Sequence, residues 1–172
     1  MAQKKVKKDP LRLVKKCITV ASSILVGIFL FLETLVFKGE GNVLGFNFSN
    51  SNNPETISPF NFLFKEEYET LREELNLAAV ILWIVIILVV VSIVLSALSL
   101  LVKKQGSMLA KVGGCLLVVS MVALFVVNLD KVTIDAGFLG SGELYLSNLT
   151  ALYFVSLVTS LVGLGSSLTL KK

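Results

Sequence analysis

An uncharged apolar stretch over residues 77–102 constrains the fold of this chain more than any other feature. No Asp, Glu, Lys or Arg lies between Glu74 and Lys103. A helix of about 20 apolar residues spans the hydrocarbon core of a bilayer. Because this stretch is longer, its helix is expected to cross with a tilt or to protrude at one end. The sequence therefore predicts a membrane-spanning helix here.

Composition and further apolar segments predict more than one span. Hydrophobic residues make up 55% of the 172 and charged residues 16%, against about 25% charged residues in soluble domains. We predict an all-α membrane protein, a four-transmembrane-helix bundle that forms a single domain over residues 1–172. The four predicted spans are residues 17–37, 77–102, 112–129 and 149–170.

Most of the basic residues and most of the acidic residues occupy different connections between these spans. The two termini and the middle connection carry Lys4, Lys5, Lys7, Lys8, Arg12, Lys15, Lys16, Lys103, Lys104, Lys111, Lys171 and Lys172. The other two connections carry Glu40, Glu55, Glu66, Glu67, Glu69, Glu73, Glu74, Asp130, Asp135 and Glu143. Lysine and arginine near span ends stay on the cytoplasmic side. We therefore predict a multi-pass protein of the cell membrane with cytoplasmic termini and exterior loops at residues 38–76 and 130–148.

Both predicted exterior loops contain signals for secondary structure. Apolar residues alternate with polar or small ones over residues 44–49 and 132–138, as on a strand with one covered face. A glycine turn at residues 140–142 and a shorter strand would complete a hairpin. Residues 61–76 have apolar side chains at helical spacing and several glutamates. Pairing of this hairpin with the strand of the first loop would give an exterior cap of about three short strands, which we predict together with an outward extension of the second helix.

Glu33 is the one acid within a predicted span. An ionisable residue inside a membrane segment is a functional hypothesis by default. The alternative is structural: the carboxylate reaches the outer headgroups, or pairs with Lys38 or Lys131. One acid without a partner in the other spans does not predict a proton path.

Small residues recur at four-residue spacing in three of the predicted spans, which lets helix backbones approach closely in lipid. We expect them to pack the four helices together, and consider a dimer interface as the alternative. Bulky residues such as Val85, Leu88 and Val89 are expected to face lipid or a partner. The predicted packing residues are Ser23, Gly27, Ser92, Ser96, Ser156, Ser160, Thr159, Gly163 and Ser167.

The sequence contains few of the residues from which catalytic and metal sites are built. Histidine is absent, and the two cysteines, Cys17 and Cys115, lie on different predicted helices. We predict no catalytic site, no metal and no cofactor. The basic N-terminus is expected to attract the anionic lipids of the inner leaflet rather than nucleic acid. Further predicted partners are another membrane protein or further copies of the chain.

The layout of four spans, internal termini and a longer first exterior loop resembles that of claudin-type tetraspan proteins. The resemblance is one of topology only. Residues 38–76 contain neither the W-G-L-W motif nor the cysteine pair of the claudin first loop, so no claudin activity is implied.

We expect a non-enzymatic structural or accessory subunit that works through helix packing and exterior-loop contacts. Two alternatives remain open at this point. One is a small transporter or channel subunit that conducts through an oligomer, with Glu33 facing the path. The other is a membrane enzyme that acts on lipid.

Overall fold

Four long helices and a five-stranded antiparallel sheet dominate the computed structural model, which describes residues 11–43, 46–49, 56–102, 105–135, 140–148 and 150–170. The helices are α1 (Leu11–Phe29), α2 (Pro59–Phe64), α3 (Glu69–Glu74), α4 (Asn76–Leu101), α5 (Gly106–Val126) and α6 (Ala151–Leu168). The strands are β1 (Leu35–Val43), β2 (Phe46–Ser49), β3 (Thr56–Ile57), β4 (Lys131–Asp135) and β5 (Gly140–Ser147). Single 3₁₀ turns lie at Glu66–Tyr68 and Val127–Leu129.

Three of the described helices are long and apolar enough to cross a membrane. They are α4, α5 together with its 3₁₀ extension to Leu129, and α6. Helix α1 has 19 residues, but Arg12, Lys15 and Lys16 lie in its first two turns. Because of these charges, α1 is less apolar than the other three long helices. The structure therefore supports three candidate spans where the sequence predicts four.

The four long helices form a closed ring. Helix α5 packs between α4 and α6, and α1 completes the ring by packing against both α6 and α4. Many large apolar side chains lie exposed on the outside, among them Val122 and Val158, whereas buried serines occupy the inside. This distribution is the one expected of helices whose outer surface faces hydrocarbon and whose backbones meet at small residues.

The sheet joins the two segments that connect the helix pairs at one end of the bundle. Its strand order is β2-β1-β5-β4, and β3 also pairs with β1. Strand β1 precedes α4 and β5 follows α5, yet they pair continuously from Val36↔Ser147 to Val43↔Gly140. The two predicted exterior loops therefore form one body, and β2 and β4 are its edges.

The first predicted span has the wrong bounds. Helix α1 ends at Phe29, and a tight turn follows, in which Leu30 N donates to Gly27 O at 3.2 Å. Leu35 and Phe37, predicted within the span, are buried residues of β1. Their apolar character reflects the core beneath the sheet, and composition alone could not distinguish that core from lipid.

The other predicted spans differ from the helices mainly at their ends. Helix α4 begins and ends one residue before residues 77–102, and α6 lies inside residues 149–170. Helix α5 begins at Gly106, well before residue 112, because Lys111 does not interrupt it. Lysine has a long apolar stem that tolerates such a position near a helix end.

The predicted outward extension of the second helix is replaced by several short pieces. Helix α2 begins after Ser58, whose side chain accepts a hydrogen bond from Asn61 N. Arg72 of α3 folds back and donates to the backbone oxygens of Phe62 and Lys65, at 2.9 and 2.8 Å. The amphipathic pattern is thus real, but its helix is broken before α4 begins.

The sheet is larger than the three strands predicted. The residues predicted as a glycine turn, 140–142, lie within β5, and β1 was not predicted. Strand β2 falls within the first alternating stretch, and β4 begins one residue before the second. The remaining residues of those stretches, 44–45 and 136–138, lie outside the described residues.

Candidate functional site

Glu33 lies in the segment between α1 and β1. Its predicted position inside a helical span is not observed, because α1 ends at Phe29. The side chain is exposed, and its carboxylate accepts a hydrogen bond from Thr56 Oγ1 beside the sheet. This hydrogen bond connects the segment after α1 to β3. A role of Glu33 in transport stays a prediction.

A cluster of hydroxyls lies where α1, α4 and α5 meet. Ser23 Oγ is 3.3 Å from Ser92 Oγ and 3.2 Å from Ser96 Oγ. Ser92 Oγ also donates to Gly113 O of α5 at 2.7 Å. These serines are fully buried, and each hydroxyl finds a partner, as buried polar groups require. The cluster holds three helices at one level of the bundle.

Glycines provide the closest approaches between helices. A Cβ at Gly163 of α6 would lie 2.8 Å from Ser22 Cβ of α1, and one at Gly113 would lie 2.6 Å from Ser96 Oγ. At Gly27 the same atom would meet Ile93 Cδ1 at 3.0 Å. Gly163 and Gly113 therefore admit no side chain without movement of a neighbouring helix.

The buried stripe of α6 differs in part from the predicted one. Ser156, Ser160, Gly163 and Ser167 are buried, whereas Thr159 is half-buried and donates to Val155 O of its own helix at 2.8 Å. Ser156, Ser160 and Ser167 also donate to carbonyls of α6 itself. Because these serines are small, they let a neighbouring helix approach α6 closely. Because their hydroxyls are already bonded within α6, they need no hydrogen-bond partner on that neighbouring helix.

The expectation for the bulky residues of α4 is wrong in two of three cases. Val85 and Val89 are buried in the bundle, and Leu88 is half-buried. The exposed face of α4 is instead formed by residues such as Ile84 and Ile87. An almost uniformly apolar helix carries too little periodicity for its buried face to be read from the sequence.

Polar side chains connect the bundle to the sheet. Asp130 Oδ2 accepts a hydrogen bond from Ala78 N at 2.6 Å, so an acid that follows α5 caps the start of α4. Asn128 Nδ2 donates to Asn148 Oδ1 at 2.6 Å, and Asn148 Nδ2 donates to Leu124 O. Thr150 caps α6 and donates to Thr34 O at 3.2 Å. This junction is not among the predictions made from the sequence, although polar residues beside apolar spans were the available signal.

Two exposed ion pairs lie at this end of the molecule. Lys131 Nζ of β4 is 2.8 Å from Glu143 Oε2 of β5, and this hydrogen bond raises the pKa of Lys131. Lys65 Nζ is 3.1 Å from Glu67 Oε1, and the hydrogen bond from Lys65 lowers the pKa of Glu67. The first pair links two strands, whereas the second is local to one connection.

The opposite end of the bundle contains a buried cation. Lys16 of α1 is only 7% exposed, and its Nζ donates to Ser99 O in the last turn of α4. A Cβ at Gly106, the first residue of α5, would overlap both this ammonium and Ser99 O. Lys16 therefore connects α1, the end of α4 and the start of α5.

An apolar groove runs between α1 and α4 on the outside of the bundle. Its volume is about 350 Å³, and its walls include Ile28, Phe31, Phe64, Ile86 and Ile93. Phe31 and Phe64 also flank Phe60 of α2, with ring centroids 4.7 and 4.4 Å away. The groove can hold hydrocarbon but contains no group suited to bond chemistry.

Within the described part of the chain, no group of three or more Cys, Asp or Glu side chains is placed to hold a metal ion. The chain matches no model of a known protein family, and a search of curated proteins found no match.

Proposed function

We propose that this chain is a four-span protein of the cell membrane with cytoplasmic termini, and that it acts as a structural or accessory subunit. The observation that carries the proposal is the pairing of β1 with β5, which fuses both interhelical segments into one sheet above the bundle. A contact surface works best when it is rigid before binding, because less conformational freedom is then lost on association.

The fourth span in this proposal is α1. It packs between α4 and α6 in the ring, and residues 17–32 carry no charge. Its basic residues lie at one end, where the side chains of Arg12 and Lys15 can extend along apolar surface towards the headgroups, whereas Lys16 is buried and donates to Ser99 O. A helix that lay flat on the membrane surface could not pack along two spanning helices at once.

The orientation is supported by the distribution of Lys and Arg in the whole sequence. Arg12, Lys15, Lys16 and Lys111 belong to the end of the bundle opposite the sheet, and Lys38, Lys65, Arg72 and Lys131 belong to the sheet end. Counted over the whole sequence, twelve of the sixteen Lys and Arg lie in the termini and the middle connection. Lysine and arginine in short connections favour the cytoplasmic side, which leaves the sheet outside.

The edges of the sheet favour contact with another polypeptide. An edge strand presents unpaired backbone groups to a neighbouring chain, and β4 lies at the end of the strand order in the described sheet. Thr133 on β4 is exposed, and the charge of Lys131 on the same strand is paired with Glu143 of β5. Addition of a strand to such an edge is an established mode of recognition.

The transporter alternative gains no support from the position of Glu33. It places Glu33 on a spanning helix that faces a path formed by an oligomer, whereas Glu33 follows α1 and accepts a hydrogen bond from Thr56. A lipid-acting enzyme is likewise not favoured by any arrangement of the described acids.

The proposal is tested by crosslinking in native membranes before extraction into a mild detergent. We expect a homo-oligomer of fixed stoichiometry or one fixed partner polypeptide at a constant ratio. Thr133→Lys, which places a charge on the exposed edge of β4, should reduce this species several-fold, since a charged edge disfavours strand addition. Glu73→Lys on exposed α3 is the control and should leave it unchanged.

A monodisperse monomer from crosslinked membranes would contradict the proposal. Flux of an ion or solute through the reconstituted chain that disappears in Glu33→Gln would favour the transporter instead.

A further inference from the structure

Two cations of α1 have no carboxylate partner among the described residues. Arg12 and Lys16 are one helical turn apart, on the same face of α1, and Arg12 is close enough to repel the charge of Lys16. The salt bridges of the described residues are Lys65–Glu67 and Lys131–Glu143, both at the sheet end. Asp9, the nearest acid in sequence, lies outside the described residues. The described charges at this end are therefore positive.

Lys16 is buried without full compensation. An ammonium carries three donors, and Ser99 O is its hydrogen-bond acceptor in the structure. Buried charges are normally paired or multiply hydrogen-bonded, because desolvation is costly otherwise. One carbonyl at the end of α4 meets part of that requirement, and a neighbouring anion would meet the rest.

Arg12 provides the observation that points to a ligand. Its Nε is buried and has no hydrogen-bond acceptor among the described residues, although the side chain as a whole is half-exposed. A buried donor left unpaired destabilises a structure. The guanidinium group is suited to two parallel hydrogen bonds with the oxygens of a phosphate or carboxylate.

The first turn of α5 adds to the positive potential. Helix α5 begins at Gly106, which lies against Lys16 Nζ, and helix N-termini carry partial positive charge. The side chain of Gln105, the residue before α5, makes no capping hydrogen bond. In the sequence, Lys103 and Lys104 precede it directly.

We propose that this cationic cluster, formed by Arg12, Lys16 and the first turn of α5, binds a phosphate group carried by an anionic membrane lipid. The phosphate accepts from the half-exposed guanidinium group of Arg12 and lies beside Lys16, and its charge offsets both cations. Basic pockets between helices at the cytoplasmic surface are typical sites for such headgroups. The assignment to lipid rests on the proposed function, which places this end at the inner leaflet.

The test uses the purified full-length chain in neutral detergent, in which binding can be measured without reference to orientation. Phosphatidylglycerol, phosphatidylcholine with the same acyl chains, and inorganic phosphate are added separately. Thermal unfolding and native mass spectrometry then report stabilisation and bound lipid. We expect phosphatidylglycerol to raise the unfolding temperature and to remain bound, with little response to the other two.

Variants locate the site. Arg12→Gln should weaken phosphatidylglycerol binding about fivefold, as expected for one cation near a lipid surface. Arg12→Lys should weaken phosphatidylglycerol binding less, because the charge remains. It is the variant to compare with the unaltered protein if Arg12→Gln does not fold. Lys131→Gln removes the same charge at the sheet end and should bind as the unaltered protein does.

Three outcomes would overturn the proposal. The first is equal binding of phosphatidylglycerol by the unaltered protein, Arg12→Gln and Arg12→Lys. The second is stabilisation by inorganic phosphate equal to that by lipid, which would remove the assignment to lipid. The third is equal destabilisation by Asp9→Asn and Arg12→Gln in neutral detergent without added lipid, because Asp9 would then be the partner of Arg12. None of these depends on how the chain is oriented in the membrane.

Discussion

Several polar side chains of this protein act on the ends or backbones of helices other than their own. Asp130 caps the start of α4, Lys16 donates to Ser99 O at its end, and Ser92 donates to Gly113 O of α5. A cap contributes about 1 kcal/mol to helix stability. Since each of these bonds also joins two elements, its loss would loosen the arrangement of helices as well as one helix end.

Lys131 and Glu143 make the stability of the sheet depend on pH. The pKa of Lys131 is raised above its ordinary value of 10.5 by Glu143. A raised lysine pKa stabilises the folded state fully below the ordinary value, and this contribution is lost as the pH rises through the raised value. We predict that, at pH values well below 10.5, Glu143→Gln unfolds at a lower temperature than the unaltered protein. The difference between the two unfolding temperatures should shrink as the pH rises and Lys131 deprotonates.

Thermal unfolding in detergent across the alkaline range measures this difference. The matched control is Glu73→Gln, an equal loss of charge on the exposed surface of α3. Its difference from the unaltered protein should not vary over that range. A deficit for Glu143→Gln that persists unchanged after Lys131 has lost its proton would show that the ion pair is not the cause.

At the scale of elements, the contact between α1 and α6 depends on the absence of a side chain at Gly163. An added methyl group would lie 2.8 Å from Ser22 Cβ and 3.2 Å from its Oγ. Overpacking of this kind typically costs about 1–3 kcal/mol. Gly165 lies on the same helix, and a methyl group added there would meet no other atom within 4 Å. We predict that Gly163→Ala is less stable than Gly165→Ala by about this amount.

The comparison between the two alanine variants isolates packing, because both gain the same helix propensity. Unfolding in a denaturing detergent gives the free-energy difference directly. Equal stability of Gly163→Ala and Gly165→Ala would mean that α1 and α6 can separate at no cost, which is inconsistent with the close approach of their backbones.

The length of an apolar stretch locates a spanning helix well in this protein. The apolar character of a short segment does not show whether it lies in a span or in the core beneath the sheet. Helix α4 could be located within one residue because no other structure accommodates so long an uncharged stretch. The segment around Leu35 and Phe37 is equally apolar, but β1 buries it under the sheet. The pairing of β1 with β5 joins residues far apart in sequence, and no local pattern encodes such a partner.

The packing residues were predictable as a class but not one by one. Ser23, Ser92 and Ser96 meet in the structure as small residues at four-residue spacing should. Thr159 lies at the same spacing but beside the buried stripe, because the rotation of α6 follows from its contacts with α1 and α5. The sequence predicts Arg12 and Lys16 as part of a basic N-terminus that sets the topology and attracts anionic lipid, but not the burial of Lys16, since burial of a lysine cannot be seen in sequence.

For the whole molecule, the sheet lies at one end of the bundle and the cationic cluster of Arg12 and Lys16 lies at the other. Strands β1 and β5 connect the α1–α4 half of the chain to the α5–α6 half. The helices meet through small residues, and the acids of the described chain gather at the sheet. The proposed topology therefore requires that the β1–β5 register exist and that it lie outside the cell.

One pair of cysteines tests both requirements. Gly41 and Gly142 are directly opposite in the β1–β5 register, and opposite Cα atoms in antiparallel strands are about 4.5–5.5 Å apart, within the range of a disulfide. With the free Cys17 and Cys115 replaced by alanine, Gly41→Cys with Gly142→Cys should form a disulfide spontaneously in a bacterial inner membrane, where the exterior is oxidising. Non-reducing electrophoresis with a thiol-reactive mass label measures it.

Gly41→Cys with Thr133→Cys is the matched control, because β4 is two strands away from β1 and the pair would be about 10 Å apart. That pair should stay reduced. If the first pair forms its disulfide only after an oxidant is added to the purified protein, the register is right but the sheet lies in the cytoplasm. If it forms under neither condition, β1 and β5 do not pair, and the rigid exterior surface on which the proposed function rests does not exist.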